Sequence, residues 1–230
     1  MNVQAITIDL DDTLWPIAPI IVRAETSLHD WLCANCPTVA EAYPVPAMRE
    51  LRDRISVENP HLAHDFTAQR RLSLRTALAP HGYGDAEIEA AFEAYYAARN
   101  TVDLYPDVRA GLERLAARVP LVSLSNGNAD LERIGLKHLF VATVSARDFG
   151  RGKPDPAIFV HACELAGVAP AHVLHVGDDP GLDVLGARAA GLNTAWVNRE
   201  NAVWSYDEAP DLTVKDLAEL ADWLDLRRAA

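Results

Sequence analysis

The segment Ile6-Thr7-Ile8-Asp9-Leu10-Asp11-Asp12-Thr13-Leu14 runs from an apolar, strand-like stretch straight into three carboxylates and a hydroxyl. Read alone, Asp11, Asp12 and Thr13 have a plain meaning, because Asp and Thr are good N-caps for a following helix. Their place at the end of a strand constrains the fold more tightly. Open α/β sheets keep their chemistry in the crevice outside the carboxyl ends of their strands.

The pattern returns further along the chain. From Tyr105 onward, short β-branched runs alternate with helical blocks, the pattern of a parallel sheet built from βαβ units. Helices are expected over Asp107 to Arg118, Ala129 to Leu136, Pro156 to Ala166, Gly181 to Ala190 and Val214 to Leu226. Strands are expected over Leu121 to Leu124, Val141 to Ser145, Val173 to Val176 and Thr194 to Val197. With the first strand these make a five-stranded parallel sheet. Between about Pro16 and Val102 the pattern is helical, with blocks at Ile17 to Leu32, Ala47 to Val57, Thr67 to Leu78 and Ala86 to Arg99 and with Asp85 as an N-cap. The expected organisation is an α/β core made of 1–15 and 103–230, interrupted by a helical insert over 16–102.

Composition narrows the classes of function. The formal charge of 21 − 33 = −12 argues against general affinity for nucleic acid or anionic membranes, and an anionic substrate needs local positive charge. No apolar run reaches the length of a membrane span, and the first strand begins almost at Met1, so the expected compartment is the cytoplasm. Cys33, Cys36 and Cys163 are too few for a disulfide framework. Cys33 and Cys36 form a C-x-x-C with His29 nearby, but no second ligand pair completes a zinc site.

Three further motifs carry chemistry. Leu121-Val122-Ser123-Leu124-Ser125-Asn126-Gly127 is a strand ending in a hydroxyl and a turn, either an ordinary Ser-Asn-Gly turn or an anion cradle of hydroxyl and backbone N–H groups. In Arg151-Gly152-Lys153-Pro154-Asp155-Pro156 a lysine is pinned between glycine and proline before a helix, either solvated or aimed as a point charge at a phosphoryl group. Leu174-His175-Val176-Gly177-Asp178-Asp179-Pro180-Gly181-Leu182-Asp183 is a second strand ending in acids. Two acid clusters on strand ends suit a shared Mg²⁺, which is bound through one or two carboxylates plus substrate oxygens and water.

In this order, D-x-D-x-T, Ser-Asn-Gly, G-K-P-D-P and G-D-D-x-x-x-D resemble the four signatures of the haloacid dehalogenase superfamily, and the insert after the first motif resembles the helical cap of its subfamily I. The resemblance implies a Rossmann-like sheet in strand order 5-4-1-2-3, which places the first and fourth motifs on neighbouring strands. The motifs are most similar to those of the bacterial flavin mononucleotide (FMN) phosphatase branch, whose members also dephosphorylate a ribityl phosphate of riboflavin synthesis. Arg151 stands where that branch leads one to expect a serine.

Carried over position by position, the resemblance makes Asp9 the nucleophile and Asp11 the acid and base. Mg²⁺ is held by Asp9, Asp178 and the backbone carbonyl of Asp11. Ser125, the Asn126 N–H and Lys153 bind the phosphoryl group. Thr13 supports Asp11 or its loop, and Asp179 and Asp183 stand behind the metal or Lys153, although Asp183 also suits a helix's first turn. The implied reaction is hydrolysis of a small-molecule phosphate ester by a monomer or homodimer.

The insert must select the substrate. Trp15 either stacks on an aromatic leaving group or packs at the hinge. Arg70, Arg71 and Arg75 face substrate or water, and His64 and Asp65 are ligands or the start of a helix. A 2-haloacid dehalogenase and a phosphomutase share the fold, and Asp11 argues against the dehalogenase, where an aromatic residue typically takes its place. A non-catalytic binding module of the same fold is the reading of a different class.

Overall fold

The computed structural model describes residues 1–228. Its strands are β1 (Ala5–Ile8), β2 (Leu121–Ser125), β3 (Ala142–Ser145), β4 (Val173–Gly177), β5 (Asn193–Val197) and β6 (Leu212–Val214). They form one six-stranded sheet in the order β3-β2-β1-β4-β5-β6, with every neighbouring pair parallel. The expected order of five strands is therefore present, and β6 is added outside β5. β6 has no counterpart among the expected strands: Leu212 and Thr213 fall outside every expected element, and Val214 is expected to open the last helix. Pairing of Val197 with Val214 makes them a strand.

Helices α1 (Ile17–Asn35), α2 (Pro37–Ala42), α3 (Val45–Glu58), α4 (Phe66–Leu78) and α5 (Asp85–Arg99) follow β1. Later come α6 (Val108–Ala116), one-turn α7 (Leu131–Ile134) and α8 (Ala146–Phe149), α9 (Pro156–Ala166), one-turn α10 (Gly186–Ala189) and α11 (Leu217–Arg228). Among the described residues no helix is long and apolar enough to cross a membrane.

The chain divides into two compact units. One comprises Met1–Pro16, Asp103–Gly127 and the chain from Gly135 onward; the other comprises Ile17–Val102 and Asn128–Ile134. The second unit thus takes in a short segment beyond 16–102. The Asn100 side-chain carbonyl accepts from the Asp130 N–H at 2.7 Å, and Arg133 pairs with Glu93 at 2.5 Å while lying over the Tyr96 ring. These ties hold α7 to α5, and of the helix expected over Ala129 to Leu136 only Leu131–Ile134 forms.

In the sheet unit β1, β2 and β4 are buried at every position. One layer beneath the sheet joins Val122, Leu124 and Val173 to Ile158, Phe159 and Ala162 of α9. α9 starts where expected: Pro156 occupies the first turn, where its missing N–H costs nothing, and the Asp155 carboxylate accepts from the Ala157 N–H at 2.9 Å. Thr7 and His175 are paired in register on β1 and β4 inside this apolar sheet, and the Thr7 hydroxyl meets His175 Nδ1 at 2.8 Å. Elsewhere in the unit α6 lies against α11, and at Gly111 an added Cβ would come within 2.7 Å of the Leu217 Cβ.

The helical unit has its own core, in which Leu28 and Leu32 of α1 meet Met48, Leu51 and Ile55 of α3, Leu74 and Leu78 of α4, and Ile88 and Phe92 of α5. Asp65 caps α4 by accepting from the Ala68 N–H at 2.8 Å. At α5 the expected cap is displaced by one residue. Gly84 is the N-cap, its N–H bound by Glu87 at 2.9 Å, and Asp85 becomes the first helical residue.

The close approach at Gly111 yields a stability test. Gly111→Ala gains up to about 1 kcal/mol of helix propensity but forces Leu217 aside, at about 1–3 kcal/mol. The expected outcome of urea unfolding is a net loss of about 1–2 kcal/mol with an unchanged m-value.

Candidate active site

The carboxyl ends of β1, β2 and β4 lie side by side, and each delivers a polar side chain immediately after its apolar run: Asp9 beyond β1, Ser125 closing β2 and Asp178 beyond β4. The Asp9 N–H donates to the Val176 carbonyl at 2.9 Å, which extends the ladder just far enough to hold Asp9 against β4. Beyond it the chain turns back. Asp12 adopts a left-handed φ of 58°, which Asp tolerates, its N–H donates to the Trp15 carbonyl at 2.8 Å, and Leu14 N–H donates to the Leu10 carbonyl at 2.8 Å.

This turn decides the places of three sequence-predicted residues. Thr13 donates its hydroxyl to Asp178 at 2.9 Å and, more weakly, to Asp9 at 3.4 Å, so it ties the two strand ends together and does not support Asp11. Trp15 is fully buried and its indole N–H donates to the Asp11 carboxylate at 2.8 Å, so Trp15 is no stacking platform but an anchor for Asp11. Arg199, which the sequence analysis missed, donates to the Thr13 carbonyl at 2.9 Å and clamps Asp107 through two bonds of 2.9 Å. Burial works against ionisation of Asp107, but those bonds and one from the Leu217 N–H hold its pKa below the ordinary carboxylate value.

Lys153 is the electrostatic centre. Its ammonium is buried and bonds the carboxylates of Asp9 and Asp183, the latter at 2.6 Å. Its backbone is fixed by Asn126: the Lys153 N–H donates to Asn126 Oδ1 at 2.7 Å, and Asn126 Nδ2 donates to the Lys153 carbonyl at 2.9 Å. Gly152 allows the clamp, since a Cβ there would lie 2.7 Å from Asn126 Oδ1. Ser125 Oγ accepts from the Gly127 N–H at 2.9 Å and so shapes the turn that carries Asn126.

Asp179 and Asp183, beyond β4, take different uses. Asp179, not Asp183, caps the next helical segment by accepting from the Gly181 and Leu182 N–H groups at 2.7 and 2.8 Å. That segment, Pro180–Leu185, is wound more widely than an α-helix before α10, where a single helix over Gly181 to Ala190 was expected. The wide turn carries Asp183 back to Lys153, with its second oxygen accepting from the Asp179 N–H at 3.0 Å. Gly177 leaves room for it: a Cβ would lie 2.3 Å from the Asp183 carboxyl carbon.

His175 is the second residue the sequence analysis passed over. Its Nε2 meets Asp183 Oδ1 at 3.0 Å. A carboxylate can only accept, so Nε2 carries the proton and Nδ1 accepts from Thr7. Burial holds the His175 pKa below its ordinary value despite Asp183, which keeps the ring neutral. A strand histidine flanked by apolar residues gives no local signal of this role.

Charge does not balance at the site. Asp9, Asp178 and Asp183 can place one ligand oxygen each within 4.8 Å of one another, against the single ammonium of Lys153. Burial disfavours ionisation of Asp183, but Lys153 and His175 overcome it and hold its pKa far below normal. Burial also opposes the charge on Lys153, and the two carboxylates outweigh it. Asp9 and Asp178 bear the surplus: burial first, then neighbouring carboxylates, push Asp9 well up and Asp178 up to about 7. Such a set fits a divalent cation, and the hard carboxylate oxygens suit Mg²⁺. Beside it a cavity of about 390 Å³ opens between Asp12, Asp178, Tyr105, Trp196 and Arg199.

Arg71 and Arg75 pair with Glu89 and Asp85 at 2.8 Å on the surface, whereas Arg70 is buried over the Tyr95 ring. Cys33 is exposed and Cys36 buried, both as free thiols, and among the described residues neither joins a metal-ligating group.

Sheet order, strand-end carboxylates and a lysine held between them define an α/β fold whose charged groups gather at the ends of β1 and β4. The model of the haloacid dehalogenase-like hydrolases matches residues 3–191, and the chain belongs to that family. It is 31% identical over 227 residues, covering 95% of each chain, to the 5-amino-6-(5-phospho-D-ribitylamino)uracil phosphatase YigB of Escherichia coli. It is 28% identical, over 96% of each chain, to a phosphoglycolate phosphatase of Chromobacterium violaceum. Among solved structures it resembles a 2-haloacid dehalogenase from Pseudomonas syringae at 39% identity and a TM-score of 0.90, covering 99% of this chain and 100% of the other.

The raised pKa of Asp178 sets a pH test. A carboxyl whose folded pKa lies near 7 binds its proton more tightly folded than unfolded, so its contribution to stability is lost as pH rises from about 4 to about 7. Metal-free wild type is therefore expected to lose thermal stability relative to Asp178→Asn between about pH 5 and about pH 8, because the amide has no proton to lose. Melting temperatures of the two proteins in EDTA across that range check it.

Proposed function

We propose that the chain is a Mg²⁺-dependent phosphatase of small-molecule phosphate monoesters that works through an aspartyl-phosphate on Asp9. The observation that carries the reading is the charge surplus, three carboxylates around one buried lysine. Hydrolysis of a haloacid needs no divalent cation and gains nothing from one, whereas a phosphate dianion approaching a carboxylate nucleophile does.

Asp9 and Asp178 would hold the ion, together with the backbone carbonyl of Asp11. When bound, it neutralises charge on the nucleophile and on the phosphoryl oxygens. Asp183, already committed to Lys153 and His175, stays outside that set. An Asp9 carboxylate oxygen attacks phosphorus in line with the ester oxygen. Lys153 offsets the negative charge shared between Asp9 and the phosphoryl group, and its backbone clamp on Asn126 fixes the distance between the lysine and the phosphate cradle of Ser125 and the Asn126 N–H. Asp11 gives its proton to the departing alkoxide and then takes one from the water that attacks the phosphoaspartate. The Trp15 indole bond keeps the Asp11 carboxyl in one orientation through both steps.

Full-length similarity to a ribityl-aminouracil phosphatase supports a riboflavin-pathway phosphate or FMN as the substrate. A second reading, 2-haloacid dehalogenase, is favoured by the similarity to the Pseudomonas syringae protein. Asp11 separates the two, since a leaving halide needs no proton and a leaving alkoxide does.

A panel of FMN, p-nitrophenyl phosphate, sugar phosphates and nucleotides, assayed beside 2-chloropropionate, tests both readings. Phosphate release with Mg²⁺ and none in EDTA is expected. Asp9→Asn should lose at least about a thousand-fold in kcat/KM, and Asp11→Asn about a hundred- to ten-thousand-fold. Halide release in EDTA would establish the dehalogenase instead. Because Mg²⁺ must displace the proton of Asp178, its stabilisation of the protein should be larger at about pH 8 than at about pH 5.5.

A further inference from the structure

Two polar side chains stand together in the middle of the sheet, where packing alone has no use for them. Thr7 and His175 face one another in register on β1 and β4, and both are buried. Their neighbours along the strands are Ile6, Ile8, Leu174 and Val176, and the Phe159 ring meets the imidazole edge to face with centroids 5.0 Å apart. A buried imidazole is costly to desolvate, and apolar side chains of similar volume fill such a layer without loss of stability. The pair therefore serves something outside the core.

Its bonds lead to the charged centre. The Thr7 hydroxyl donates to His175 Nδ1 at 2.8 Å, and Nε2 donates to Asp183 Oδ1 at 3.0 Å. The same oxygen accepts from the Lys153 ammonium at 2.6 Å, while Asp183 Oδ2 accepts from the Asp179 N–H at 3.0 Å. Lys153 in turn bonds Asp9. One line of hydrogen bonds thus runs from Thr7 through His175, Asp183 and Lys153 to Asp9.

Two neutral donors, an imidazole and a peptide N–H, hold the two oxygens of Asp183 without drawing on the lysine. Asp183 is thereby a fixed counter-charge, and the ammonium divides its hydrogens between Asp183 and Asp9. Without the imidazole, only the lysine holds Oδ1. The carboxylate then turns about its Cβ–Cγ bond, and the ammonium, tied to it by a charge-assisted bond, follows. A group misplaced by about 1 Å at a reacting centre costs about a hundred-fold in rate. Thr7 acts one step further back, since a hydroxyl that donates to Nδ1 keeps the ring proton on Nε2.

We propose that His175 is a positioning residue for phosphoryl transfer, acting through Asp183 to fix where Lys153 carries its charge, and that Thr7 selects the tautomer that lets it do so. The effect on rate rests on the phosphatase reading; the placement of the lysine does not.

The test uses the full chain with Mg²⁺ and p-nitrophenyl phosphate, with kcat taken per folded molecule from the circular dichroism of each variant. His175→Leu should lower kcat about ten- to a hundred-fold, and His175→Gln, whose amide N–H₂ stands in for Nε2, should recover most of that loss. Thr7→Val removes only the hydroxyl and should slow the reaction about two- to ten-fold. It should add nothing to His175→Leu, because Thr7 acts only through the ring. Independently of any reaction, the ¹⁵N resonance of Lys153 Nζ should move in His175→Leu and in Thr7→Val and return in His175→Gln. Unchanged kcat in folded His175→Leu overturns the inference. So does an unmoved Nζ resonance, a glutamine variant as slow as the leucine variant, or losses in Thr7→Val and His175→Leu that multiply. Should His175→Leu fail to fold, Thr7→Val decides by the same two measurements. If the wild type releases no phosphate, the phosphatase reading fails, and the Nζ resonance alone decides whether His175 places the lysine.

Discussion

The buried ammonium of Lys153 between Asp9 and Asp183 is the interaction on which the rest of the sheet unit depends. Removing either partner of a buried ion pair leaves an uncompensated charge at a cost of about 3–5 kcal/mol, so the elements that deliver these three residues are held to one another. β1 brings Asp9, the Gly152–Pro154 loop brings Lys153 and the wide turn after β4 brings Asp183. Asn126 locks the lysine's backbone, and His175 locks the aspartate through a proton fixed by Thr7.

One lysine cannot balance three carboxylates. Asp183 takes the ammonium, and Asp9 and Asp178 are left crowded, with raised pKa values. The site thereby stores the electrostatic demand that a divalent cation would relieve. Thr13 and Arg199 keep the crowded carboxylates from swinging apart, Thr13 by bonding both and Arg199 by holding the Thr13 carbonyl. In the helical unit the buried guanidinium of Arg70 lies over the Tyr95 ring with its Nη1 unpartnered.

Where expectation and structure part, the cause is tertiary contact. β6 exists because Val214 pairs with Val197, whereas three residues, Leu212-Thr213-Val214, are too short a run to show a strand pattern of their own. Asp179 and Asp183 were interchangeable as acids after a strand, and only the wide winding of Pro180–Leu185 makes one a cap and the other the partner of Lys153. Thr13 lies close enough in sequence to Asp11 to suggest that pairing, but the left-handed turn at Asp12 sends its hydroxyl to Asp178.

The sequence by itself determined the class of fold, the place of Asp9, Ser125 and Asp178 at strand ends and of Lys153 just before a helix, and, through the resemblance that these motifs carry, the family and the order of five strands. Periodicity and strand-end motifs are local, and local chemistry suffices to read them. Only the tertiary structure decided how charge is shared among Asp9, Asp178, Asp183 and Lys153, that His175 and Arg199 hold that arrangement, and that Arg70 is buried without a counter-ion. Ionisation inside a protein depends on burial and on the sum of neighbouring charges, and residues far apart in the chain contribute to that sum only once the chain has folded.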